Sequence, residues 1–169
     1  MFDLSHIHPM IVHFPIALLI IGFLADLTGA ITKKEFFNKA GFYLLILGTL
    51  GVVAGYISGD YAGDGVTEAG ALGQALELHE HAAELSLWLM LGTALVRIAA
   101  VSFKKYTGVI KIIAMVLFFA GVLSIARTGY YGGELVFKHA AGVQLNLGLD
   151  FNSMNNSNSD LKIEHEDDD

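Results

Sequence analysis

The chain contains no cysteine, only two prolines and one tryptophan among its 169 residues. Without cysteine there is no disulfide, no thiolate metal site, no cysteine-held iron–sulfur cluster and no haem attached through Cys-x-x-Cys-His. Charge is scarce as well: 16% of residues are charged and 54% are apolar, where a soluble domain carries about 25% charged residues. The net charge of −7 sits almost entirely at one end. From Asp150 onward seven acids face a single base, Lys162, whereas residues 1–149 hold ten acids and nine bases. No basic patch interleaved with aromatics is present, so nucleic acid is not an expected partner. A His-Glu-x-x-His zinc motif, a phosphate loop and a nucleophile–base pair are also missing, which leaves no independent catalytic motif. The N-terminus, Met1-Phe2-Asp3-Leu4, lacks the basic start of a secretory signal, so the first apolar stretch is expected to be retained.

What the chain does have is long apolar runs. About 20 helical residues span roughly 30 Å of hydrocarbon, and four stretches reach that length: residues 10–31, 40–58, 82–103 and 107–128. None alternates with period two. Backbone polar groups in lipid must be satisfied within a helix or a closed barrel, so the expected fold class is all-α, a four-helix transmembrane bundle. One membrane domain is expected over residues 1–150, followed by an acidic, disordered tail over 151–169. No internal repeat is visible.

The connections alternate in charge. Lys33, Lys34 and Lys39 follow the first span, and Lys104, Lys105 and Lys111 surround the link between the third and fourth. Asp3, Asp60, Asp64, Glu68, Glu77, Glu80 and Glu134 fall at the opposite ends. Basic residues in short loops stay cytoplasmic. The expected topology therefore places the chain in the inner (cytoplasmic) membrane, with both termini and the loop from Gly59 to Glu80 extracytoplasmic. Turn signals at Ser58-Gly59-Asp60 and Asp64-Gly65 predict a loop, with a surface helix from Thr67 into span three. Gly129 and Gly132-Gly133 are expected to end the fourth helix, and Glu134 to Leu149 to lie along the membrane surface.

Alternating helices bring scattered histidines to one side. His8 and His13 begin the first span, His79 and His81 the third, and His139 follows the fourth. All five are expected at the extracytoplasmic face. Neutral imidazole ligates haem iron, zinc, copper and iron. A b-type haem needs two axial histidines from different segments, and His13 and His81, at the lips of their helices, are the favoured pair. Arg127 is placed to meet a haem propionate. Gly41, Gly48 and Gly55, with Gly51 and Gly59, make a small-residue stripe that admits a close helix or a flat ring.

Each feature has a plainer reading. Interfacial histidines cap helices and bind headgroups. At about 100° per residue, His79 and His81 point away from each other, so one of the two faces the bundle. The glycine stripe serves helix packing more often than cofactor clearance. Arg127 and Glu84 are candidates to pair, as are Asp26 and Arg97, near enough to the helix ends to snorkel. Phe14, Tyr61, Tyr130 and Tyr131 read as an interfacial belt, and Trp88 as a packed residue.

The segment His8-Pro9-Met10-Ile11-Val12-His13-Phe14-Pro15-Ile16-Ala17-Leu18 resembles the opening signature of a bacterial four-helix membrane family, domain of unknown function 2231. The likeness extends to His81 entering the third helix and to Gly132-Gly133-Glu134-Leu135-Val136-Phe137-Lys138-His139 after the fourth. It covers residues 5 to 145. Ala140 stands where the family pattern has glycine. The resemblance implies His8, His13, His81 and His139 as site residues, and relatives joined to cytochrome c-like or Rieske-like domains favour electron transfer. Three functions follow as expectations. The first is a b-type haem subunit passing electrons between membrane quinol and a redox partner protein. The second is a membrane protein binding a copper, zinc or iron ion through the same histidines, and the third is a cofactor-free structural subunit.

Overall fold

A computed structural model describes residues 7–63 and 70–141. It contains four helices and, among the described residues, no strand: α1 (Ile7–Thr32), α2 (Glu35–Gly63), α3 (Gly70–Ser102) and α4 (Gly108–His139). All four are long and apolar enough to cross a membrane. The connection of α1 to α2 is two residues long, which forces the pair antiparallel. α1 packs along α2 and α3 along α4; the two hairpins then meet through α2 with α3 and α1 with α4. The α1 and α3 backbones stand diagonal to one another.

In lipid the hydrophobic effect does not drive helices together, so close packing of small residues takes over. The glycine stripe of α2 does this against α1. A Cβ on Gly48 would lie 2.5 Å from Leu19 Cγ, one on Gly51 2.9 Å from Pro15 and one on Gly41 2.9 Å from Asp26 Cβ. The stripe is therefore a helix seam, and at its last member, Gly59, the ring that approaches is an imidazole: His8 lies 3.0 Å from a Cβ built there. At mid-bundle Leu19, Leu45, Met90 and Phe118 are fully buried. Many other large apolar side chains, among them Phe14, Ile31 and Leu95, face outward, as lipid contact requires.

Two expectations about helix ends are corrected. The turn at Ser58-Gly59-Asp60 does not form; α2 continues to Gly63, and within the helix Gly59 leaves room for the His8 ring. The helix expected to lead into span three is present from Gly70 and runs unbroken to Ser102; Thr67 lies outside the described residues. α4 passes through Gly129, Gly132 and Gly133 to His139. Each glycine costs about 1 kcal/mol of helix propensity relative to alanine, less than an unsatisfied backbone group in an apolar surround. Residues 142–149 and the acidic tail from 151 also lie outside the described part. Trp88, expected to pack, is 64% exposed on the outer surface.

Candidate functional site: two imidazoles at one end, a buried ion pair at the other

The inward faces of α1 and α3 decide which histidines meet. In α1 the buried positions are Pro15, Leu19, Gly22, Asp26 and Gly29, a spacing of three and four that extends back through Val12 to His8. In α3 they are Gly73, Ala82, Ser86, Met90, Thr93, Ala94, Arg97 and Ala100, a stripe that includes His79. His8 and His79 are accordingly half-buried, with ring centroids 6.4 Å apart and planes at 84°. His13 and His81 lie off these stripes and are exposed. His13 Nδ1 turns back to the Pro9 carbonyl of its own helix. The expected pair is thus not brought together, and its neighbours on each helix are. His139 ends α4, partly buried, and among the described residues it makes no hydrogen bond or ring contact with His8 or His79.

The hydrogen-bond partners of the two rings fix where their protons sit. Ser58 has one hydroxyl proton and donates it to the Gly55 carbonyl at 3.0 Å. Its oxygen, 3.0 Å from His8 Nδ1, therefore accepts, and the proton between them sits on Nδ1. His79 Nδ1 is 3.1 Å from the Thr128 carbonyl, which only accepts, so this nitrogen also carries hydrogen. In the neutral rings both Nε2 atoms are left with the lone pair. Among the described residues neither Nε2 has a hydrogen-bond partner. Below the rings, Ser86 Oγ meets Ser124 Oγ at 2.8 Å and Thr128 Oγ1 at 2.9 Å. This hydroxyl cluster clamps α3 to α4 and fixes the carbonyl that orients His79. Glycine makes room on α4 as on α2: a Cβ on Gly132 would lie 3.1 Å from His79 Cε1.

The surrounding charge is negative. Asp60, Glu77, Glu80, Glu84 and Glu134 lie toward this end, against Arg127 and Lys138, and Lys138 is engaged by Glu134. Arg127 takes neither Glu84 nor the bundle interior. It is exposed, with its guanidinium 5.3 Å from the Tyr131 ring centroid and bonded to that phenol.

At the opposite end Asp26 and Arg97 are paired, and they do not snorkel. Both are buried, 0% and 2% exposed, and joined by two bonds of 2.5 and 2.8 Å. Tyr106, from the α3–α4 connection, lays its ring 3.8 Å from the guanidinium carbon and donates to Asp26 at 3.3 Å. Burial pushes the Tyr106 phenol up, and the nearby Asp26 carboxylate pushes the same way against the Arg97 charge. Arg97 also donates to the Asn38 carbonyl, and Lys111 to the Asn38 side chain at 3.0 Å. All four helices thus converge on one buried network, which leaves Arg97 Nε without a partner among the described residues.

His79, Ser58 and Thr128 were not among the residues expected to form the site. The seven-and-four spacing of Ser86, Thr93 and Arg97 carried the signal, since His79, seven residues before Ser86, shares that face and His81 does not. No metal-binding group of three or more histidine, cysteine or carboxylate side chains occurs among the described residues. No curated protein and no solved structure matches the chain. Residues 5–145 match the family model described as predicted membrane protein, DUF2231. With the match covering most of the chain and four membrane-length helices in place, the protein belongs to this family of predicted membrane proteins.

Proposed function

We propose that the protein is an integral membrane metal-binding protein, which holds a low-coordinate transition-metal ion of copper(I) character between the Nε2 atoms of His8 and His79. One observation carries this reading: both Nδ1–H groups are engaged, by Ser58 and the Thr128 carbonyl, and the rings stand 6.4 Å apart. Metal-ligating histidines are characteristically fixed in this way through their other nitrogen. Metal–nitrogen bonds of about 2.0 Å put two facing imidazole centroids roughly 6 Å apart. Zinc asks for four ligands; a pair of imidazoles suits a d10 ion content with two. The acidic surround raises the local concentration of cations. Lysine asymmetry orients this end outside the cytoplasmic membrane.

A b-type haem, serving electron transfer between quinol and a redox partner, is the second reading, because two axial imidazoles are also the haem set. His8 and His79 would then be the axial pair, and Arg127 would have to leave Tyr131 to meet a propionate. The macrocycle would also have to part the two hairpins where Gly59 and Gly132 hold the rings against helix backbone.

The test is the detergent-purified protein, its visible spectrum and its copper(I) affinity measured against a chromophoric chelator. A colourless protein whose affinity falls at least tenfold in His8→Ala and His79→Ala, but not in His13→Ala or His81→Ala, is expected. A Soret band lost in the first two variants selects haem. Binding of neither, or binding that survives His8→Ala and fails in His13→Ala, overturns the site.

A further inference from the structure

Both connections at the end opposite the histidines repeat one arrangement. α1 ends at Thr32 and is followed by Lys33 in the left-handed region (φ 57°) and then Lys34; α3 ends at Ser102, and after Phe103 come Lys104 in the same region (φ 55°) and then Lys105. At the second connection the Lys105 amide bonds the Ala100 carbonyl and the Lys104 amide that of Val101, the helix stop that normally takes glycine at the left-handed position. Lysine sits there in both places although a side chain is strained in that conformation. All four lysines are exposed. The carboxylates toward this end among the described residues are spoken for: Asp26 holds Arg97, and Glu35 lies 3.0 Å from Lys39. Among the described residues Lys33, Lys34, Lys104 and Lys105 form no ion pair. A bare phenylalanine accompanies each pair, Phe36 at 73% and Phe103 at 74% exposure. Tyr106, two residues beyond Lys104, reaches Asp26 of α1 and so ties the two connections to one end face.

From this arrangement we propose that the lysine end is a binding surface for anionic phospholipid headgroups. The two lysine pairs take the phosphates, and Phe36 and Phe103 enter the acyl region below them. Charge complementarity selects the anionic lipid, and the paired exposed rings select a lipid over a free anion. The surface is independent of the histidine site.

The whole protein in neutral detergent tests this, by thermal unfolding with added phosphatidylglycerol, cardiolipin, phosphatidylcholine or inorganic phosphate. The two anionic lipids should raise the midpoint by several degrees, and raise it less at high salt; phosphatidylcholine and phosphate should not. In Lys33→Gly/Lys104→Gly the glycines fit the left-handed positions, so the midpoint without lipid holds or rises while the lipid shift shrinks. Adding Lys34→Gln and Lys105→Gln should abolish the shift. An equal shift from phosphatidylcholine or phosphate overturns the proposal. So does an undiminished shift in the fourfold variant, whose own midpoint reports that it is folded.

Discussion

The Asp26–Arg97 pair joins the diagonal helices α1 and α3 in a region without solvent access. In Arg97→Met the carboxylate, 0% exposed, loses both its short bonds and keeps only the Tyr106 phenol. In Asp26→Asn the guanidinium loses its counter-charge and keeps the Asn38 carbonyl. Breaking a buried pair from one side costs about 3–5 kcal/mol, because the partner left behind is a buried charge. That is a large part of the roughly 5–15 kcal/mol that holds a domain folded. If the two losses were independent, the double variant would be destabilised by roughly 6–10 kcal/mol. Asp26→Asn/Arg97→Met leaves no charge to desolvate, so it is expected to be more stable than either single variant. Helicity followed by circular dichroism during SDS titration of detergent-solubilised protein supplies all four free energies. Additive losses would refute the reasoning, and single losses below about 1 kcal/mol would place the pair in the class of exposed salt bridges.

Two further perturbations test the packing and the ends. Gly48→Ala places a methyl 2.5 Å from Leu19 Cγ, and overpacking of this kind costs about 1–3 kcal/mol. Gly133→Ala meets nothing within 4 Å and should be neutral, or stabilising by up to about 1 kcal/mol through helix propensity; the same SDS titration compares them. Ala140 occupies the left-handed position that ends α4, at φ 51°, with its own amide bonded to Val136 and that of Ala141 to Leu135. Ala140→Gly relieves the conformation and should stabilise the end of α4 by about 1 kcal/mol. Slower amide hydrogen exchange in the last turn would register it, and unchanged exchange would count against it.

The left-handed backbone at Ala140 (φ 51°) is one that glycine takes without strain. Alanine adopts it at a higher conformational cost.

The apolar run lengths alone determined that four helices cross a membrane. Hydrocarbon thickness fixes how many residues a span needs, and lipid leaves the backbone no partner but itself. Lysine asymmetry likewise separated a basic end from a histidine end. The helix limits were less legible. Glycine and Ser-Gly-Asp are turn signals in water, but at Gly59 and Gly132 they serve the close approach of a ring, and the helix runs on.

Only the tertiary structure decided which face of each helix turned inward. Local sequence places His8 and His13 equally well at the start of α1, and His79 and His81 equally well at the start of α3. The choice falls to contacts made about two to five turns further along, where Pro15 and Leu19 pack on glycines of α2, Ser86 bonds α4, and Asp26 meets Arg97. A helix is rigid over that distance, so those contacts set its rotation. Rotation brings His8 and His79 together across the bundle and turns His13 and His81 outward.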